Sequence, residues 1–239
     1  MVAEVAVQLV RAGASLAACY MFASLMPDIR AVQRAGSTGN LQLLPLLAMA
    51  ANCACWGLYG VLRRDFFPLM ATNAVGLGFA LFYVAVYYRH SPSPRAVMLK
   101  CAATVTALAL LTLYALASPE PQSVVQDHVG YASMAVCAVM FASPLAKVRE
   151  VLATRNASLM PFALVAAGFV NSLLWLLYGL ILDDSFVITP NLVNLFLGAL
   201  QLALFAALAK PSGGFDKVDA AKKNEDPSSE ITVKVTNSE

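Results

Sequence analysis

Seven stretches of roughly twenty almost wholly apolar residues follow one another along the chain, at about 7–26, 41–62, 67–88, 97–117, 128–147, 160–181 and 187–209. Each is bounded by charge, proline or a Ser/Gly/Asn cluster, the signals that end helices. A helix of about 20 residues crosses a hydrocarbon core of about 30 Å. The pattern therefore predicts an all-α integral membrane protein of seven transmembrane helices with short connections. From Lys210 onward the apolar content falls away and Lys, Asp, Glu and Ser intermix, with Ser212-Gly213-Gly214 at the start. Such a segment has too little apolar surface to bury a core and reads as a disordered extension, 210–239.

The first three and last three spans repeat one another. Asn52, Trp56, Tyr59 and Gly60 recur as Asn171, Trp175, Tyr178 and Gly179, both copies reading Asn, three residues, Trp, two residues, Tyr-Gly. Each copy is preceded by prolines, Pro27 and Pro45 in the first half and Pro144 and Pro161 in the second, and followed by an asparagine about a dozen residues past the glycine, Asn73 or Asn191. The fourth span, 96–117, has no counterpart. It carries the chain back across, so that both triples enter the membrane in the same direction and the repeat is parallel. The expected organisation is 1–95, first triple; 96–127, linker helix and external loop; 128–209, second triple. Parallel repeats of this kind place a solute site near the midplane where the halves meet.

Composition agrees, since 59% of residues are hydrophobic and 13% charged, against about 25% charged in soluble domains. The net charge of +2 and scattered bases exclude a nucleic-acid partner. The five cysteines lie in apolar runs, so neither a disulfide framework nor a metal or other cofactor is expected. Allotting the bases of the first 210 residues to the two sides of a seven-pass weave gives nine on one side and Arg11, Arg63 and Arg64 on the other. By the positive-inside rule the amino terminus is outside or lumenal and the carboxyl terminus cytosolic. Either a plasma or an internal membrane satisfies this bias, the plasma membrane being the first expectation. Glu4 and the lack of an early Lys or Arg argue for a retained first helix rather than a signal peptide.

The 3+1+3 pattern, the four prolines, the paired Asn-x3-Trp-x2-Tyr-Gly segments and Met160-Pro161-Phe162 together resemble the SWEET family of sugar uniporters. The stretches Asp184 to Asn191 and Leu200-Gln201-Leu202 are similar too. The resemblance covers 7–209 and implies passive passage of mono- or disaccharides through an alternating-access cavity. The first proline is followed by Asp28 and the third by Leu145, so the Pro-Gln dipeptide of the wider superfamily is missing. That departure argues against an amino-acid exporter of the Pro-Gln-loop type.

Within a helix, Asn52, Trp56 and Tyr59 share one face, as do Asn171, Trp175 and Tyr178. Tryptophan normally favours the membrane interfaces. Trp56 and Trp175, near mid-span by count, instead suit cavity walls on which the apolar face of a pyranose can lie, packing against neighbouring helices being the competing role. Carboxamides both donate and accept hydrogen bonds, as sugar hydroxyls do, and the resemblance carries Asn73 and Asn191 over as pocket residues. Asn52 and Asn171 join the candidate substrate-binding set, with interhelical hydrogen bonding as their alternative role, which Asn194 shares. Pro27, Pro45, Pro144 and Pro161 read as kinks around the inner mouth, an inner hinge like the family's proline tetrad. Tyr59 and Tyr178 with Asp183 or Asp184 are candidates for an outer gate, Asp184 matching the family position better.

Titratable residues lie at span ends, which points to a uniporter without ion coupling. No nucleophile, Walker loop or His-Glu-x2-His set suggests an enzyme. Besides a sugar, the expected partners are the lipid bilayer and further copies of the chain in a homo-oligomer. The competing functions are a seven-helix receptor or scaffold with a signalling tail, and a carrier of another small polar solute.

Overall fold

The computed structural model describes residues 2–157 and 160–208. The tail expected from 210 lies outside the described residues. Among the described residues the structure is helical without strands: α1 Val2–Ala23, α2 Met26–Ala35, α3 Leu43–Leu62, α4 Ala71–His90, α5 Pro94–Ala117, α6 Gln122–Met140, α7 Ala142–Thr154, α8 Phe162–Leu182 and α9 Ser185–Leu208. They make seven spans long and apolar enough to cross a membrane, as expected. Two spans are longer than predicted, because α1 with α2 and α6 with α7 each run for 33 residues, Ala3–Ala35 and Gln122–Thr154.

Those extra lengths correct the span ends expected at residues 26 and 147. The charges Asp28, Arg30 and Arg34 read as terminators, yet they sit on the exposed face of α2 while Ile29 and Val32 are buried on the other. At about 1.5 Å per residue a 33-residue span rises about 50 Å, beyond a hydrocarbon core of about 30 Å. Charge is therefore tolerated in its last turns. The prolines are corrected in part. Pro27, Pro45 and Pro144 lie in the first turns of α2, α3 and α7, and Pro161 immediately precedes α8. A first-turn proline removes an N–H that has no helical partner anyway, so Pro45 and Pro161 mark helix starts, while Pro27 and Pro144 follow the breaks at 24–25 and 141 inside the two 33-residue spans. The proline inside a helix is Pro190 in α9.

The two triples pack as one pseudo-twofold unit. Helix α1 lies against α8 as α3 lies against α6, and α1 against α4 as α6 against α9; within the halves α3 packs on α4 and α8 on α9. Each half thus completes the other, and a buried cluster containing Ala18, Trp56, Tyr59, Val129, Trp175, Tyr178 and Val187 spans both. The linker α5 touches α3, α4 and α6 and buries one side chain, Val97. Its remaining surface suits lipid.

Glycine permits a close helix approach at Gly76 of α4. A Cβ there would stand 2.6 Å from the Phe22 ring and 2.7 Å from Cys53 Sγ, whereas one on Gly78 would meet nothing within 4 Å. Of Gly76 and Gly78, two residues apart on α4, Gly76 alone serves close packing. Overpacking costs about 1–3 kcal/mol, so Gly76→Ala is expected to lower the thermal unfolding midpoint of the purified protein clearly. Gly78→Ala should leave it nearly unchanged; equal midpoints for both variants would refute this packing account.

Candidate transport cavity

A cavity of about 650 Å³ lies between the halves, lined from α1, α3, α4, α6, α7, α8 and α9. That volume falls within the roughly 300–1,000 Å³ of small-molecule sites. Its wall brings together Asn52, Trp56, Asn73, Asn171, Trp175, Asn191 and Asn194, from residues far apart in sequence. Pro45, Pro144 and Pro161 line it as well, with Lys147 among them. Pro27 does not: it borders a separate shallow surface with Arg30, Gln33 and Arg34. Among the described lining residues the ionisable side chains are the Cys137 thiol and Lys147, and Lys147 Nζ is paired to Glu150 at 2.7 Å.

The two pocket asparagines of the third helices are held alike. Asn73 Nδ2 donates to the Leu69 carbonyl and Asn191 Nδ2 to the Val187 carbonyl, both at 2.8 Å and four residues back, in the turn that precedes α4 and in α9 itself. Each amide is thereby anchored by its nitrogen, and its oxygen remains available to accept from a hydroxyl. Each tryptophan meets the tyrosine three residues on, edge to face at 5.7 Å between ring centroids. Both lie about one turn past the midpoints of α3 and α8, so they roof the cavity rather than bisect the membrane.

Beyond this roof the two halves exchange hydrogen bonds. The Tyr59 hydroxyl donates to the Asp184 carboxylate, 3.1 and 2.9 Å from its two oxygens, and the Tyr178 hydroxyl donates to Asp65 Oδ2 at 2.5 Å. Tyr59 and Tyr178 are 1% and 2% exposed, so the cavity is shut at this end. At the other end Pro45, Pro161 and Lys147 are exposed, which leaves that end as the mouth. Asp184 does further work: Oδ1 accepts from the Phe186 and Val187 amides at the start of α9, and Oδ2 pairs with Arg63 Nε at 3.3 Å. Its neighbour Asp183 is exposed in the left-handed conformation that ends α8, φ 52°.

Asp65 was missed in the sequence, although the repeat contained the signal. It lies five residues past Gly60 as Asp184 lies five past Gly179. After that the copies fall out of step by one residue. Met70 N–H reaches back to the Asp65 carbonyl across a wide turn, Phe66–Met70, while Ile188 N–H reaches the Asp184 carbonyl four residues back. Phe67, extended at φ −144° and ψ 128°, takes up the extra residue. The turn is braced from α1, where the Arg11 guanidinium donates to the Phe67 carbonyl. Cys137 and Gln201 were also missed as wall residues. A thiol in apolar sequence carries no local mark, and Gln201 had entered only as part of a motif.

Comparison with known proteins agrees with this architecture. The family model described as "Sugar efflux transporter for intercellular exchange" matches residues 8–95 and 127–212. The chain is 33% identical over 189 residues to the sugar transporter SWEET1 of Rattus norvegicus, covering 77% of this chain and 83% of that protein. It is 28% identical over 213 residues to the bidirectional sugar transporter SWEET11 of Arabidopsis thaliana, covering 84% and 72%. A solved structure of a eukaryotic SWEET transporter superposes with a TM-score of 0.79 at 28% identity, over 87% of this chain and 99% of that one. With a duplicated helical fold, a neutral cavity between its halves and a family match over both halves, this chain belongs to the SWEET family of sugar transporters.

Proposed function

We propose that the chain is a passive, bidirectional sugar uniporter that works by alternating access, with the sugar held between the tryptophan pair and the amides of Asn73 and Asn191. The observation that carries this reading is the wall of the cavity. It offers aromatic faces and neutral hydrogen-bonding groups, which suit a polyhydroxyl solute. Its ionisable groups are a thiol and a lysine at the mouth that is already paired. Coupling to protons or cations requires titratable or ion-binding groups along the pathway, so the substrate gradient is the driving force. The duplicated core and the names of the relatives favour transport over the receptor or scaffold reading.

In this reading Tyr59, Tyr178, Asp65 and Asp184 form the outer gate, and Pro45, Pro144 and Pro161 surround the inner mouth. Pro27 acts with them as a hinge, at the break between α1 and α2, without touching the cavity. The charge bias supports an amino terminus outside or lumenal and a cytosolic carboxyl terminus; residence in the plasma membrane belongs to the proposal, and an internal membrane fits the bias equally. Assembly into homo-oligomers belongs to the same proposal.

The deciding experiment is counterflow of radiolabelled glucose, and in parallel sucrose, in liposomes holding the purified protein without any ion gradient. Uptake driven by unlabelled sugar inside is expected, and the two labels report the size class. Folded protein that moves neither sugar would overturn the proposal.

A further inference from the structure

The two halves of the cavity wall are chemically unequal. Asn52 and Asn171 hold the same place in the two repeats, four residues before the tryptophan. In the first half the thiol of Cys137, on α6, donates to Asn52 Oδ1 at 3.1 Å and its sulfur accepts the Trp56 indole N–H at 3.3 Å. In the second half Asn171 Oδ1 is buried with no donor in hydrogen-bond distance among the described residues. Helix α1 faces α8 as α6 faces α3, and at the place of Cys137, 119 residues earlier as Asn52 stands to Asn171 and Trp56 to Trp175, it carries Ala18. A methyl side chain has no proton to donate.

We propose that Cys137 is a positioning residue of the sugar site: it occupies the Asn52 oxygen and fixes the Trp56 ring by its edge, so that Asn171 supplies the open acceptor. The proposal rests on the sugar-carrier reading above. Its physical basis is local. A thiol is a weak donor and acceptor in water, but in a pocket of low dielectric an amide oxygen or an indole N–H left without a partner is costly. One sulfur that satisfies both also holds the ring at one tilt, and a ring held so has its face set before sugar arrives. The sugar then meets a preset first half and an unsatisfied carboxamide in the second.

Two measurements test this. In the liposome assay, Cys137→Val is expected to raise the sugar KM about three- to tenfold, the equivalent of one lost hydrogen bond, with little change in maximal rate. Cys137→Ser, whose hydroxyl both donates and accepts, should bring KM back toward the parent value. Adding Asn52→Ala to Cys137→Val should change little further, whereas adding Asn171→Ala should add its full effect. The second measurement needs no transport. Trp56 and Trp175 are the only tryptophans, so in Trp175→Phe protein the emission reports Trp56 alone. A thiol in contact quenches indole fluorescence, so Cys137→Val should brighten it. An unchanged KM in Cys137→Val, with transport intact in the parent, or unchanged Trp56 emission, would each overturn the proposal. A parent protein that moves no sugar would refute the carrier reading and with it the sugar role of Cys137; emission would still report whether the sulfur holds the ring.

Discussion

Asn191→Ala should cut sugar flux about tenfold to a hundredfold while the protein remains folded and membrane-inserted. The Asn191 amide spends one N–H on the Val187 carbonyl of its own helix, and the alanine leaves that carbonyl in an intact helix. What disappears is the oxygen presented to the cavity. A buried hydroxyl that loses its acceptor costs about 1–3 kcal/mol, and each 1.4 kcal/mol is tenfold. Asn73, anchored identically on Leu69, should behave alike, and the pair together should be worse than either alone. The check is flux in liposomes beside a thermal unfolding curve. Near-normal flux from Asn191→Ala would remove this residue from the sugar site and leave its amide as helix packing.

The second large effect is expected at Asp184, where one carboxylate performs three tasks. It accepts the hydroxyl of the buried Tyr59, it caps the first turn of α9, and it pairs with Arg63. Losing an aspartate cap costs about 0.5–2 kcal/mol, and stranding a buried hydroxyl about 1–3 kcal/mol. The Arg63 pair adds little, because that side chain is 39% exposed and water screens it. Asp184→Ala is therefore expected to lose about 2–4 kcal/mol of stability and most of its flux, since the tyrosine end could no longer close firmly. Asp65→Ala gives the contrast. The Asp65 side chain holds Tyr178, while the wide turn beside it is closed by the backbone bond from Met70. It should impair flux while costing less stability. Wild-type flux in both variants would show that the exchanged tyrosine bonds are structural and do not gate the pathway.

Much of the molecule was legible as one-dimensional pattern. Seven spans followed from apolar length, and the two matching halves from the recurrence of asparagine, tryptophan, tyrosine and glycine at fixed spacing. The same recurrence brought Trp56, Trp175, Asn73 and Asn191 forward as a set, and all four line one cavity. Reading all four prolines as kinks holds in part: Pro27 and Pro144 follow breaks at 24–25 and 141 within their 33-residue spans, whereas Pro45 and Pro161 stand at helix starts, where proline is equally at home. Asp65 stands in step with Asp184, five residues past the glycine, and escaped because a single aspartate beside Arg63 and Arg64 at the end of a span reads as one more solvated charge.

By itself, then, the sequence determined the number of crossings, their duplication and the polar positions facing inward, because hydrophobic length and helical spacing are local and survive without partners. Tertiary structure alone decided which of those positions meet. Tyr59 reaches across 125 residues to Asp184, Tyr178 across 113 to Asp65, and Cys137 across 85 to Asn52. The first helix of each half packs on the second helix of the other, which joins Cys137 to Asn52 and brings the tyrosine ends of the second helices against the segments that open the third helices opposite. A crossed arrangement of that kind is set by how two three-helix units bury one shared core, and no spacing within either unit encodes it.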